Sequence, residues 1–505
     1  MTIVNAKAPP APVAAPPSNY RGALTVVTSL FFMWGFVTVL NDVLVPHLKS
    51  IFALNYAEAS LIQFAFFLAY FIFSVPSARL IDWVGYKKTM VIGVVVMGVG
   101  ALLFIPAASV PSYPLFLAAL MVLAGGITAL QVAANPYVSV LGPPQTASSR
   151  LNLSQAFNSL GTAIAPSLGG YLILNVTRQS AGAVQQMSAE ALQAYRIHEA
   201  SSVKLPYLII GLALIALGVV IAMFKLPPMP SAEHHKGDAA SGKSIWQYRH
   251  LVLGAVGIFV YVGAEVSIGS YLINYFSQSN IGNISEVTAA RFVSFYWGGA
   301  MVGRFIGSAL LHGVRTVHMA VGSAIAGLVL MASFLGGGHG VLAGHPHIAH
   351  FLSEVLTVLV QARPLVVLCF ATLVLLMLVS VFMNGRISVK TGHLLGLAAI
   401  CTTLLVSVSM LTFGHAAMWS IILVGFFNSI MFPSIFTLGI AELGPLTGDG
   451  SGLLIMAIVG GAAIPLAQGA LADRVGLHHA FIIPAICYLY ILYYAFRGSR
   501  PAAVV

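Results

Sequence analysis

Apolar runs of bilayer length alternate with short polar breaks along nearly the whole chain. A membrane-crossing helix needs about 20 consecutive apolar residues. Such runs predict helices over 21–46, 58–80, 89–107, 113–138, 150–174 and 204–224. One long polar stretch follows, from Lys225 to Arg249, holding Pro227-Pro228, His234-His235-Lys236 and Ser241-Gly242-Lys243. The pattern then resumes over 250–277, 288–312, 317–335, 364–383, 393–412, 416–441, 450–470 and 479–496. The pattern predicts an all-α polytopic membrane protein with six spans, a linker at 225–249 and eight spans, 14 in total. A closed β-barrel would instead show short alternating segments. Residues 1–20 are rich in Pro and Ala, lack the charged-then-apolar order of a signal peptide, and read as a disordered tail.

Composition narrows the class. The 505 residues are 59% hydrophobic and 7% charged, against about 25% charged in a soluble domain. The net charge of +10 does not point to nucleic acid, because no basic cluster is interleaved with solvent-facing aromatics. The basic residues follow the loops instead. Arg21, Arg79, Lys87, Lys88, Arg150, Lys225, Lys236, Lys243, Arg249, Arg497 and Arg500 share the face of the termini, which charge bias makes cytoplasmic. Lys49, Arg178, Arg196, Lys204 and Arg363 fall opposite. Cys369, Cys401 and Cys487 lie in apolar segments without disulfide or metal spacing. No HExxH, no GxSxG and no paired carboxylates on one helix occur, so neither an enzyme nor a cofactor is expected.

Against this background the polar residues inside spans carry the information. Asp42 follows Asn41 within the first apolar run. An acid near a bilayer centre costs roughly 2.5–3.5 kcal/mol, and chains that keep one usually use it in an internal cavity; the other reading, with His47 and Lys49 close by, is a helix-end acid that snorkels to the headgroups. Glu265 lies in Phe259-Val-Tyr261-Val-Gly-Ala-Glu265-Val-Ser-Ile-Gly269, sharing a face with Tyr261 and Gly269, and Arg304 is a candidate partner within Gly303-Arg304-Phe-Ile-Gly307. The halves also echo each other. Leu160-Gly161-Thr-Ala-Ile-Ala-Pro166 resembles Val459-Gly460-Gly461-Ala-Ala-Ile-Pro465, and each follows a span ending in Leu-Gly-Pro, at 141–143 and 443–445. Internal repeats around a polar linker are a signature of secondary transporters, whose sites lie between the repeats at mid-membrane.

Two resemblances go further. Ala78-Arg-Leu-Ile-Asp82-Trp-Val-Gly85-Tyr-Lys87-Lys88 resembles the loop signature of the major facilitator superfamily, Gly-x3-Asp-x2-Gly-x-Lys/Arg, with Ala78 in place of the first glycine. In that superfamily the resemblance implies a gating loop. Asn41-Asp42-Val-Leu-Val-Pro46, Gln131-Val-Ala-Ala-Asn135-Pro136-Tyr137, Ser149-Arg150-Leu-Asn152-Leu-Ser-Gln155-Ala-Phe-Asn158-Ser159, Tyr261-Val-Gly-Ala-Glu265 and Phe427-Asn428-Ser-Ile-Met-Phe-Pro433 occur in that order. Together they resemble the fucose–galactose–glucose:proton symporter family from about residue 22 to 498. The resemblance implies a bundle of six helices at 21–224 and a second at 250–498 around a central cavity. Residues 313–390 then read as an inserted helical hairpin. Its polar middle carries His339, His345, His347 and His350, read as a solvated loop and not as a metal site.

Helical spacing sorts the polar residues into faces. Trp34, Thr38, Asn41 and Asp42 form one, Thr128, Gln131 and Asn135 a second, Gln155, Asn158 and Thr162 a third, and Asn428 adds an amide from the second half. Amides that donate and accept, plus an aromatic face, suit a sugar ring. Interhelical hydrogen bonding is the competing use of such residues. Asp42 matches the family's acidic position in the first helix, which the resemblance implies takes part in proton coupling. Fucose permease has a second acid on its fourth helix, where this chain has Gln131. That places the chain nearer the glucose/galactose branch and leaves Glu265 as the other candidate coupling acid. The expected function is import of a hexose by proton symport across a bacterial inner membrane, by a monomer. Sodium coupling, other cargo such as fucose or N-acetylglucosamine, a non-transporting sensor and an efflux pump are the alternatives.

Overall fold

The computed structural model describes residues 20–52, 56–110, 112–173, 203–228, 244–312 and 390–500, with isolated positions between 187 and 201. Among these residues every regular element is helical. In lipid each backbone N–H and C=O must be satisfied within its own segment, which a helix does. The first half holds α1 (Tyr20–Phe52), α2 (Tyr56–Ser109), α3 (Tyr113–Val140), α4 (Ala147–Ile173) and α5 (Lys204–Met223). The second holds α6 (Arg249–Phe276), α7 (Glu286–His312) and α8 (Thr391–Leu411). A broken span of α9 (Gly414–Asn428) and α10 (Met431–Gly439) follows, then α11 (Thr447–Met456) with α12 (Gly460–Val475), and α13 (Leu477–Ala480) with α14 (Ile482–Tyr493).

Among the described residues nine helical stretches are long and apolar enough to cross a membrane. The stretch Leu61–Ser109 is 49 residues long and covers two expected spans. Its two legs join at Gly85, whose φ of 82° and ψ of 166° break the helix. The spans expected at 317–335 and 364–383, and the four histidines between them, lie outside the described residues, as do the tail at 1–19 and most of the linker.

Aromatic contacts fix the direction of the first helices. Phe52 packs on Tyr113 and Phe116, and Phe104 packs on Phe116 and Tyr207. The end of α1, the end of α2 and the starts of α3 and α5 therefore share one end of the bundle. The opposite end gathers Tyr20, the Gly85 turn and the end of α3. Tyr86 lies against Tyr137, the Tyr137 hydroxyl donates to the Pro227 carbonyl, and Gly142 meets the Tyr20 ring. We call this the Gly85 end. Small residues let the second leg of α2 lie close against α3. A Cβ on Gly126 would stand 2.4 Å from the Met97 nitrogen, an approach that only glycine permits.

Arg150 is not the surface charge that its place on the basic face suggests. It is 2% exposed and ties the corner between α3 and α4. Its Nε donates to Val138 O at 3.0 Å and its Nη2 to Ser139 O at 2.6 Å. Its Nη1 donates to Pro143 O and Thr146 Oγ1. The last carbonyls of a helix lack intrahelical partners, and a cation there also suits the helix dipole.

The halves meet at the Gly85 end through two pairs of helices, α4 with α7 and α2 with α11. Ser149 Oγ donates to Ser308 O at 2.8 Å and Ser308 Oγ to Ser149 O at 2.9 Å. Ser148 Oγ pairs with Thr437 Oγ1 and accepts from Thr391 Oγ1. At the second pair Gly452 of α11 stands against Ala78 of α2, and beside it Ser451 Oγ of α11 donates to Val132 O of α3 at 2.8 Å. The start of α4 and the start of α11 thus play matching parts, as the repeated Leu-Gly-Pro turns before them suggest.

Gly85→Ala tests the turn in α2. No atom lies within 4 Å of the position its Cβ would take, so the loss is backbone strain alone, about 1–3 kcal/mol. The variant is expected to melt at a lower temperature in detergent. An unchanged melt would show that the turn tolerates an L side chain.

Candidate functional site

The polar residues singled out in the first half fall on α1, α3 and α4. Trp34 is 3% exposed, with its ring 4.0 Å from that of Phe31, and Thr38 is half-buried four residues on. Asn41 and Asp42 fall on α1, ten residues and more before its end at Phe52. Their side chains lie outside the described residues. On α3 Thr128 bonds back to its own helix at Ala124 O. Gln131 Nε2 donates to the Tyr70 hydroxyl at 2.8 Å. Asn135 is fully buried, and neither its Oδ1 nor its Nδ2 has a hydrogen-bond partner. A buried unpaired polar group costs about 1–3 kcal/mol, so an amide with two of them is a place where a ligand has something to satisfy.

On α4 the three expected residues divide. Gln155 is buried, and its carbonyl faces the second half. Asn158 Nδ2 donates to Phe31 O at 3.0 Å, and its side chain closes against Gly35. Thr162 bonds to Ser159 O. Asn158 thus ties α4 to α1 in this state, as an interhelical amide would.

The second half contributes a tighter cluster. Glu265 accepts from the Tyr261 hydroxyl at 2.8 Å, and Arg304 Nη2 stands 3.9 Å from the same carboxylate oxygen. The pair is the ion pair that the two buried charges require. Asn428 Nδ2 donates to the Tyr296 hydroxyl at 2.9 Å, while its Oδ1 has no partner. Tyr296 donates in turn to the Glu265 carbonyl. Gly269 meets Trp297.

The cluster is organised by the break between α9 and α10. Where the helix stops at Asn428, two carbonyls lose their helical partners. Asn428 O lies 3.1 Å from the Tyr261 hydroxyl, sharing its one proton with the nearer Glu265, and Arg304 Nε donates to Ser429 O at 3.2 Å. Half-helix ends at mid-membrane are where transporters build their sites.

Arg304 also crosses to the first half. Its Nη1 donates to the Ser159 hydroxyl and reaches the Gln155 carbonyl at 3.5 Å. The polar face of α4 and the Glu265 cluster are therefore one connected site. Tyr70, Tyr296 and Ser159 were not singled out in the sequence. Tyr296 and Arg304 do share a face of α7 at a spacing of eight, a signal that the apolar run around Tyr296 hides.

The Gly85 turn sits beside the first turn of α11. The Asp82 carboxylate is exposed and lies 3.9 Å from where a Cβ on Gly448 would be, at a helix N-terminus that favours an anion. Lys87 Nζ donates to Ala222 O at the end of α5, at 2.7 Å. Lys88 is exposed. Among the described residues no group of three His, Cys, Asp or Glu could hold a metal.

Comparison with known proteins agrees with this architecture. A family model described as Major Facilitator Superfamily matches residues 26–362. The chain is 44% identical over 482 residues to a glucose/galactose transporter of Brucella abortus, covering 95% of each chain. It is 32% identical to the L-fucose-proton symporter of Escherichia coli strain K12, covering 96% of this chain and 94% of that one. A crystal structure of the transporter FucP in the outward conformation matches 95% of this chain and 100% of its own, at 29% identity with a TM-score of 0.74. By these matches the chain belongs to the Major Facilitator Superfamily, within the group that holds the glucose/galactose transporters and the fucose:proton symporters.

Proposed function

We propose that this protein imports a hexose, glucose or galactose, together with a proton by alternating access. One observation carries the reading: the two halves close on each other at the Gly85 end, and the polar faces of both join through Arg304 in the interior. A site between two rocking halves is what alternating access requires. The names of the relatives supply the cargo and the ion.

In this reading Asp42 is the coupling carboxylate and Glu265 the second buried acid. A carboxylate taken out of water can hold or release a proton as its surroundings change. Trp34, Thr38, Asn41, Gln131, Asn135, Gln155, Asn158 and Asn428 contact the sugar, with the orphaned Asn135 amide and Asn428 Oδ1 the groups most in need of a ligand. Asp82, Gly85, Lys87 and Lys88 form the gating loop. The Gly85 end faces the cytoplasm, the membrane is a bacterial inner membrane, and the transporter works as a monomer.

The test is uptake in reconstituted vesicles with pH and sodium gradients imposed separately. An inward proton gradient is expected to drive accumulation of labelled glucose and galactose, and a protonophore to abolish it. A sodium gradient at constant pH is expected to drive none. Accumulation under sodium alone would reassign the ion. No accumulation of any hexose under either gradient would overturn the cargo.

A further inference from the structure

We infer that Arg304 is a positioning residue that holds the two halves shut at the Gly85 end and uses Glu265 as its counter-ion. This rests on the alternating-access reading above but not on the identity of the cargo. The guanidinium lies where α7 crosses α4, and its donors are divided between the halves. Nη1 donates to the Ser159 hydroxyl and reaches Gln155 O in the first half. Nε donates to Ser429 O, and Nη2 faces Glu265, in the second. Arg304 and Glu265 are each 12% exposed.

The ion pair is the longest of its four contacts. Glu265 takes a 2.8 Å bond from Tyr261 but stands 3.9 Å from Arg304. The cation bonds neutral acceptors in both halves and stands off from its counter-ion. Arg cannot give up its charge in a protein. Ser159 and Gln155 ride with the first half, so parting the halves at this end removes their bonds. The guanidinium then settles on Glu265 and Ser429 O, which travel with it. Opening thus exchanges two bonds between halves for a closer ion pair within one. The position is charged because such an exchange needs a group that must be bonded in both states. Glu265 is occupied as a counter-ion throughout, which leaves the carried proton to Asp42.

The test reads the closure directly. Ile81 is 4% exposed and packs beside Gly448 at the contact of α2 with α11. Ile81→Cys is made in a background with Cys369, Cys401 and Cys487 replaced by Ala, and its alkylation by a membrane-permeant maleimide is timed. Loss of a hydrogen bond to a charged group shifts an equilibrium roughly 10- to 150-fold; because Arg304→Gln also removes the open-state ion pair, it is expected to speed alkylation at the lower end of that range, about tenfold. Ser159→Ala is expected to speed it by a smaller factor, and Arg304→Lys to fall between Arg304→Gln and the parent. Sugar counterflow supplies a second readout. Arg304→Gln should lower its maximal rate while leaving the half-saturating sugar concentration unchanged, whereas a sugar ligand would move the latter. An unchanged alkylation rate in well-folded Arg304→Gln overturns the proposal. If that variant is not recovered folded, an unchanged rate in Ser159→Ala overturns it. Absence of counterflow in the parent protein would sink the cargo and leave the alkylation result standing on its own.

Discussion

Asp42→Asn is expected to abolish pH-driven hexose accumulation while the protein still inserts and still exchanges sugar across the membrane. The side chain keeps its size and one acceptor but can no longer take up a proton. Placing an acid in this span costs roughly 2.5–3.5 kcal/mol, so the variant should be made at least as well as the parent. The readouts are the ratio of internal to external sugar under an inward proton gradient, and counterflow without a gradient. The ratio should fall to unity while counterflow persists. Concentrative, proton-dependent uptake at the parent rate would remove Asp42 from coupling. Asp42 sits on α1, opposite the half that carries Glu265, so a two-acid mechanism would have to pass a proton between halves.

Glu265→Gln is expected to be the more damaging change to the fold. It leaves Arg304 buried at 12% exposure without an anion, and breaking one side of a buried ion pair costs about 3–5 kcal/mol. The Ser429 and Gln155 carbonyls and the Ser159 hydroxyl still accept from the guanidinium. They place the cost at the lower end of that range. Adding Arg304→Gln should then restore part of what was lost, because no lone charge remains. Detergent melting of the two single variants and the double one measures the coupling. Additive losses would mean that the two side chains do not act as a pair.

The membrane spans were legible because bilayer thickness imposes a length that the sequence must repeat. The break after Asn428 was harder to read, because 416–441 is one apolar run. Its mark is Pro433, which has no N–H to give the Ser429 carbonyl four residues earlier. The acceptors at the break then take donors from Tyr261 and Arg304. The loop expected between the second and third spans is helical on both sides of Gly85, since one residue in a left-handed conformation is enough to turn the chain. Charges stand out in an apolar run, so Glu265 and Arg304 could be read as candidate partners. Tyr70 and Tyr296 look like ordinary membrane aromatics, and their bonds to Gln131 and Asn428 depend on which helices pack together. Asn158 fits the sugar-facing pattern by spacing, yet its amide is engaged with Phe31 O.

The four bonds of Arg150 have a consequence for how selectivity can change. They make the corner from α3 to α4 a stiff gauge, carrying Asn135 and Gln155 at a set spacing. The matching corner of the other half closes without a guanidinium: His250 Nε2 meets Ala441 O at 2.8 Å, Thr447 Oγ1 donates to Gly444 O at 2.7 Å, and Glu442 and Gly444 are left-handed. In the proposed reading, replacements beside Asn135 on α3 are expected to change which stereoisomer is accepted, whereas those at Ser149 and Ser159 on α4 also touch the contact between the halves.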